Sequence, residues 1–419
     1  MIRLLHFADA HIDLARHGRR DSQSGLPLRV LDFLNSLDTI VDAAISEKAD
    51  LVIFAGDAYR DRQPAPTYQR EWGKRIQRLS SNNILTLMVI GNHDISPALG
   101  RAHTLQEFET LQVPNTLVID RPVLLKPADL NGLPLQVIGI PWLNRSGLVS
   151  SLADGGADAE TVDSQLEDTL TRIIEELLDG LDPSLPVVLT SHVSVQGAHY
   201  GNERSVMLGR DLVLSPSLVR DERLDYVALG HIHRAQDLNE GGHHPVIYPG
   251  SIERVDFGEV QDRKTYVIAE IERNNTQIRQ VDLPGRRFID RMIEITSEAD
   301  VQAQILSALP DEDAMKDAMV RLAVRYPREW EAMIDEPAVR RAAETAFEFH
   351  FIRRPVAQAR IRLPENAQIA ALTSSELLDI YLKSNPPAGF DSSDLMNLAS
   401  DIIQTVETGS APMMEIEQL

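Results

Sequence analysis

The sequence predicts an α/β protein, with central β-sheets flanked by helices, followed by a small α+β domain and C-terminal helices. Three observations predict it. Short apolar, β-branched runs recur through the first 285 residues, each giving way to a small residue and then polar side chains. Helical periodicities lie between several of these runs. Near residue 285 the texture changes to strictly alternating strands.

The runs are "IRLLHFADAH" (2–11), "DLVIFAGDA" (50–58), "TLMVIGNHD" (86–94), "LPVVLTSHV" (185–193) and "DYVALGHIH" (225–233). Apolar stretches of this length without strict alternation suit strands buried on both faces. Helices are expected over 28–47, 67–81 and 161–180. The last carries Val162, Leu166, Leu170, Ile173, Ile174 and Leu177 near a 3.6-residue period. Strand and helix in alternation read as helices packed on a central sheet. In such sheets ligands gather beyond the strand C-termini, where the polar clusters fall.

After "DLPGRRF", "VRLAVRY" (320–326) puts Val320, Leu322, Val324 and Tyr326 on one face and Arg321 and Arg325 on the other. "FEFHFIRRP" and "ARIRLP" follow a helical pattern around 335–346. Arg321, Arg325, Arg353, Arg354, Arg360 and Arg362 form either a solvated face or a set of DNA-backbone contacts. Beyond Pro364 two amphipathic helices are expected, about 374–383 and 392–407, separated by Pro386, Pro387 and Gly389. The second aligns Leu395, Leu398, Ile402 and Val406 and takes Asp391 or Ser392 as its N-cap. The tail after Gly409 is expected to lack structure. The resulting segments are 1–285, 286–364 and 365–419.

The 419 residues are 43% hydrophobic and 25% charged, which suits a globular chain with a sizeable core. No apolar run approaches a membrane span, and Asp9 and Asp13 interrupt the start where a secretory leader would stay apolar. Cysteine is absent, which excludes disulfides and thiolate metal sites and permits a cytoplasmic location. The formal charge of −22 opposes a surface that attracts nucleic acid everywhere. Local arginines or bound cations can still bind phosphate.

The strand ends supply Asp9 and His11, Asp57, Asn92 with His93 and Asp94, His192, and His231 with His233. Alternate residues of an extended chain point the same way, so each Asp-x-His or His-x-His pair can reach one ion. Imidazoles, carboxylates and one amide suit Mn²⁺, Fe²⁺ or Zn²⁺ better than the all-oxygen shells of Ca²⁺ or Mg²⁺. So many ligands exceed one tetrahedral site and fit two ions sharing a carboxylate. Two ions roughly 3.5–4 Å apart clamp the attacking and leaving oxygens of a phosphoryl displacement. His6, inside the first run, is expected to be a satisfied core histidine. His199 and Tyr200 could approach the site from the loop after His192.

In order, Asp9-Ala10-His11, Gly56-Asp57, Gly91-Asn92-His93-Asp94, His192 and Gly230-His231-Ile232-His233 resemble the signature of the calcineurin-like metallophosphoesterases. "GDAYRDRQPAPTYQREW" and "YPGSIERVDFGE" are further similar to the SbcD-type DNA repair nucleases of the meiotic-recombination-11 family. The resemblance implies a metallophosphoesterase sandwich, a capping domain that positions DNA over 286–364, and a helical ATPase-binding segment with a flexible tail over 365–419. It implies that Asp9, His11 and His233 hold one ion, that Asn92, His192 and His231 hold the other, and that Asp57 bridges them. Two divalent ions, Mn²⁺ first and Fe²⁺ or Zn²⁺ next, are the expected cofactors. His93 would act on the transferring phosphate and the leaving oxygen, with Asp94 orienting its ring.

The implied activity is a DNA exonuclease or endonuclease in double-strand-break and hairpin processing. The implied partners are DNA, an SbcC-type coiled-coil ATPase bound through the C-terminal helices, and a second copy of the chain, in a cytoplasmic, nucleoid-associated setting. A phosphatase or cyclic-nucleotide phosphodiesterase would use the same centre on a small ester, and a scaffold would have lost its ligands. Many relatives place leucine and glycine after Asp-x-His; here Ile12 and Asp13 stand there, a departure that touches the loop and not the ligand set.

Overall fold

The computed structural model describes residues 1–14, 19–95, 101–143, 159–201, 213–356, 373–384, 395–400 and 402–403. These divide into two compact units, Met1–Ile289 with Asp317–Met319, and Asp290–Lys316 with Val320–Leu419.

In the first unit the strands of the two large sheets are β1 (Ile2–Phe7), β2 (Leu51–Phe54), β3 (Leu85–Val89), β4 (Thr116–Ile119), β5 (Val123–Leu125), β6 (Gln136–Ile140), β7 (Val187–His192), β8 (Tyr226–Gly230), β9 (Gln236–Asp237), β10 (Val246–Tyr248), β11 (Thr265–Glu272) and β12 (Asn275–Asp282), and a small two-stranded sheet pairs Ser194–Val195 with Val213–Leu214. Among the described residues β1 to β12 form two six-stranded sheets, ordered β12-β11-β1-β2-β3-β4 and β9-β10-β8-β7-β6-β5. Both are mixed. Strands β1 to β4 run parallel, as do β6, β7, β8 and β10, while antiparallel strands complete one side of the first sheet and both edges of the second.

The two sheets face each other across Leu4, Ile53, Leu87, Val137, Val188 and Ala228. On the outer face of the first sheet lie α1 (Leu28–Ser46) and α2 (Pro66–Ser81). Val30, Phe33, Leu34, Leu37, Ile40, Val41 and Ala44 make one buried stripe of α1, the three-and-four spacing that faces a core. Pro66 opens α2, where a missing N–H costs nothing. A short helix α3 (Gln106–Thr110) precedes β4, and α4 (Ala159–Asp179) covers the second sheet through Leu170, Ile174 and Leu178. The result is a helix–sheet–sheet–helix sandwich with the expected α/β layering. The C-terminal ends of β1, β2, β3, β7 and β8 carry the polar motifs. His6 is buried in this core, where its Nδ1 meets the Tyr226 hydroxyl at 3.0 Å and the Leu229 backbone offers the ring a second hydrogen bond.

In the second unit, strands β13 (Phe288–Glu294), β14 (Met319–Pro327) and β15 (Glu348–Val356) form one sheet in that order. Helices α5 (Val301–Ser307) and α6 (Glu336–Ala342) supply Ile305 and Val339 to its core. Val320, Leu322, Val324 and Tyr326 are all fully buried, as their alternation predicts. The opposite face carries ion pairs of Arg321 with Asp290 and of Arg325 with Glu294, whereas Arg353 lies on the helix-covered side, paired with Glu331 and Glu336. Helix α7 (Ser374–Ser384) follows, and residues 395–400 and 402–403 are helical, with Leu398 and Ile402 exposed. Arg360, Arg362, "ARIRLP", the Asp391 or Ser392 cap and the tail lie outside the described residues. No helix among those described is long and apolar enough to cross a membrane.

Candidate metal centre

The loops beyond β1 and β2 are laced together by main-chain bonds. Asp9 N–H donates to the Gly56 carbonyl at 3.0 Å, and the N–H groups of Ala10 and His11 donate to the Asp57 carbonyl at 2.9 and 3.2 Å. Asp9, His11, Asp57 and His231 all have positive φ, at 51°, 39°, 63° and 98°. Non-glycine residues hold that conformation only where surroundings over-determine it, and such strain gathers at functional sites. Two motif glycines answer to space. A Cβ on Gly91 would stand 2.1 Å from Asp57 Oδ1, and one on Gly230 would stand 2.0 Å from the Ala55 carbonyl.

All seven expected ligands come together. Asp9, His11 and His233 offer donor atoms within 4.8 Å of one another, and so do Asp9, Asp57 and His192. Asp57 Oδ2 lies 3.7 Å from His11 Nε2 and 3.4 Å from His192 Nε2, so this carboxylate reaches both groups. Asn92 Oδ1 sits 3.0 Å from His192 Nε2 and 3.1 Å from His231 Nδ1. Asp9 accepts from the His231 N–H. Apart from Asn92, these residues are buried.

The hydrogen-bond network fixes which ring nitrogens face inward. His11 Nδ1 meets the Tyr59 carbonyl at 3.3 Å, His233 Nδ1 meets Glu259 Oε1 at 2.8 Å, and His192 Nδ1 meets the Ala55 carbonyl at 2.7 Å. In the neutral rings each Nδ1–H donates outward, so each Nε2 turns a lone pair inward. His11 Nε2 and His233 Nε2 then stand only 3.1 Å apart. At that separation either a proton on one ring or a divalent cation beside both must lie between the two nitrogens. The donor set therefore fits divalent metal.

Charges within the cluster reinforce this. Burial works against the His192 imidazolium, but the Asp57 charge and hydrogen bond overcome it and push that histidine up to about 9. Burial would raise Asp57, yet the surrounding imidazoles, His192 first, hold it well below the usual carboxylate range. Burial drives His11 well below the ordinary histidine value. A buried group of carboxylates and imidazoles is balanced by protons or by metal, and metal supplies the greater charge.

His93 is half-buried, and its N–H donates to Asp57 Oδ1 at 2.8 Å. Its ring is not oriented by Asp94, as the sequence comparison implied. Its Nδ1 bonds the Arg60 carbonyl at 2.8 Å, and Arg60 Nη1 lies 3.3 Å from its Nε2. The Asp94 carboxylate instead accepts from the N–H groups of Asp57, Ala58 and Gly91 and from the Thr104 hydroxyl. Asp13 accepts from the N–H groups of Arg60 and Asp61, so it fixes the peptide that holds His93.

Sequence reasoning missed Glu259, which holds His233 and is itself held by buried Lys264 at 2.7 Å and the Val255 N–H at 2.8 Å. It also missed Trp142, whose ring centroid lies 5.0 Å from that of His231. Glu259 ends the "YPGSIERVDFGE" stretch, so that stretch held the signal. His199 is exposed and its N–H bonds Gln236.

A family model for calcineurin-like phosphoesterases matches residues 2–235. Among solved structures, the TT1561 protein of Thermus thermophilus is 15% identical, with a TM-score of 0.37, covering 67% of this chain and 98% of that one. A dimetal phosphatase from Danio rerio is 13% identical, with a TM-score of 0.38, covering 67% of this chain and 95% of its own.

Proposed function

The chain belongs to the calcineurin-like phosphoesterase family, and on that premise we propose that it is a metal-dependent DNA phosphodiesterase of the SbcD type. The observation that carries the finer reading is a cationic rim in an acidic chain. Against a formal charge of −22, Arg60 and Arg62 both bond the Asn92-His93 loop. A rim of that sign beside a two-ion site suits one phosphate within a polyanion. The resemblance of residues 56–72 and 248–259 to SbcD-type nucleases supports the same reading.

Asp9, His11 and His233 would hold one ion, Asn92, His192 and His231 the other, and Asp57 both. Bound there, the ions would supply Lewis acidity and a nucleophile at neutral pH. The protein's own groups prepare the rest. Burial, and then the Arg60 charge against the opposing Asp57 charge, lower His93, so its neutral ring keeps the proton on Nδ1. A phosphate entering between His93 and Arg60 draws the guanidinium to itself and favours a proton on His93 Nε2, facing the leaving oxygen. We assign 286–364 as the DNA-positioning cap and 365–419 as the docking segment for an SbcC-type ATPase, with Mn²⁺ as the working metal, a homodimer as the assembly, and a cytoplasmic, nucleoid-associated setting.

The second reading is a phosphatase or small-ester phosphodiesterase. The carboxylates that pair Arg321 and Arg325 favour it, because they offset those two charges on the open face of the second sheet. The experiment is Mn²⁺-dependent cleavage of a labelled hairpin and a linear duplex by wild type and His93→Ala, with bis(p-nitrophenyl) phosphate alongside. DNA cutting lost in the variant, with both ions retained, supports the nuclease. Ester turnover without DNA cutting, even with the ATPase added, supports the second reading.

A further inference from the structure

A second group of ligating side chains lies apart from the seven described. His103, Glu109 and Asp120 each offer one donor atom, and the three atoms lie within 4.8 Å of one another. They come from three successive pieces of chain: the loop before α3, α3 itself, and the residue after β4. Both ring nitrogens of His103 are buried without a hydrogen-bond partner. That is an unusual state for an imidazole, because a buried polar atom left unpaired is costly. Glu109 and Asp120 are exposed, and neither forms an ion pair among the described residues. Burial lowers His103 despite both carboxylates, which leaves its ring neutral with a lone pair to give.

We propose that His103, Glu109 and Asp120 form a third cation site, for one divalent transition-metal ion with water completing its shell. One imidazole and two carboxylates suit Mn²⁺ or Zn²⁺ better than Ca²⁺. The ion joins the loop before α3 to the end of β4. That loop is also tied to the first centre. Thr104 N–H donates to the Asp94 carbonyl at 2.9 Å, and its hydroxyl donates to the Asp94 carboxylate at 3.0 Å. The third ion therefore steadies the support on which Asp94 holds the Gly91 and Asp57 loops.

Mn²⁺ titration of the metal-free full chain, followed by the electron-spin resonance of free Mn²⁺, tests the site by counting bound ions. Wild type is expected to bind one equivalent more than either His103→Ala or Asp120→Asn. Asp120→Asn changes an exposed side chain, so it serves if the histidine variant folds poorly. Asp57→Asn, which weakens the first centre, is expected to keep an equivalent that His103→Ala then removes, so the two sites fail separately. Equal stoichiometry in wild type, His103→Ala and Asp120→Asn overturns the proposal, as does an Asp57→Asn protein whose residual binding ignores His103.

Discussion

Replacing Glu259 with glutamine tests whether a residue outside the ligand motifs sets the metal site. Its carboxylate is almost wholly buried and has four partners: His233 Nδ1 at 2.8 Å, Lys264 Nζ at 2.7 Å, the Val255 N–H at 2.8 Å and, more distantly, the Ser251 hydroxyl at 3.5 Å. An amide of equal size retains one oxygen but faces buried Lys264 without a charge. Breaking a buried pair while leaving its partner in place costs about 3–5 kcal/mol. Losing the carboxylate behind a metal-binding histidine weakens metal by about 10–100-fold. Denaturant unfolding of the metal-free protein reads the first number and Mn²⁺ titration the second. Glu259→Gln with Lys264→Met removes the stranded ammonium, so stability is expected to recover partly while metal affinity stays low. The pH dependence carries its own sign. Burial raises Glu259, but His233 and Lys264 outweigh it and hold the group well below its ordinary 4.5. Its contribution is complete above 4.5 and fades as pH falls below it. Burial lowers His233, but Glu259 overcomes it and raises the ring above 6.5. That contribution is complete below 6.5 and fades as pH rises through the folded value. The pair therefore supports the metal-free fold best between these two values, and the glutamine variant is expected to flatten that maximum. Wild-type metal affinity in Glu259→Gln, or an unchanged pH profile, would refute the reasoning.

Gly91→Ala places a methyl carbon 2.1 Å from Asp57 Oδ1, so Mn²⁺ stoichiometry is expected to drop while circular dichroism still reports the fold. Asp13→Ala frees the Arg60 and Asp61 N–H groups; kcat on a phosphodiester is expected to fall about tenfold or more with ion count unchanged, and an unchanged kcat would separate Asp13 from His93. Because Asp57 holds His192 protonated up to about 9, metal must displace that proton. Mn²⁺ affinity is expected to climb by about tenfold per pH unit toward 9, and a flat profile measured by calorimetry in two buffers would contradict the assignment.

What the sequence reveals of this molecule depends on how locally each feature is encoded. Helices expected at 28–47, 67–81 and 161–180 appear as Leu28–Ser46, Pro66–Ser81 and Ala159–Asp179, because an amphipathic stripe is written every three or four residues. The residues that cluster at the candidate centre are legible because each lies at or just beyond the end of an apolar strand. The β11–β12 hairpin leaves a weaker mark: every position of its outer strand, Asn275 to Asp282, is exposed or only partly buried, which dilutes an apolar signature. Glu259 and Lys264 were illegible for another reason. Their value comes from His233, which lies 26 and 31 residues away in the chain, and no local pattern marks a buried carboxylate whose partner arrives through tertiary folding. The arginines of 321–325 show the converse. Their alternation was plain, but the carboxylates that pair them, Asp290 and Glu294, sit on a neighbouring strand.

The run Gly91-Asn92-His93-Asp94 shows why four residues with different chemistry must be consecutive. Asp94 takes N–H groups from Asp57, Ala58 and Gly91 and the hydroxyl of Thr104. Four donors fill the lone pairs of one carboxylate, so no capacity is left for His93. Its work is to hold the loop after β3 against the loop after β2. That grip brings Gly91 so close to Asp57 that no side chain fits between them. With those loops locked, the His93 N–H bonds Asp57 Oδ1 and the Asn92 amide falls between His192 and His231. His93 then takes its ring orientation from the Arg60 carbonyl, on the same β2 loop that Asp94 has fixed and Asp13 braces. A single carboxylate thus sets ligand spacing and reactive-ring placement together. Substituting Asp94 is expected to lose metal and His93 function in one step, whereas Asp13→Ala loses only the second.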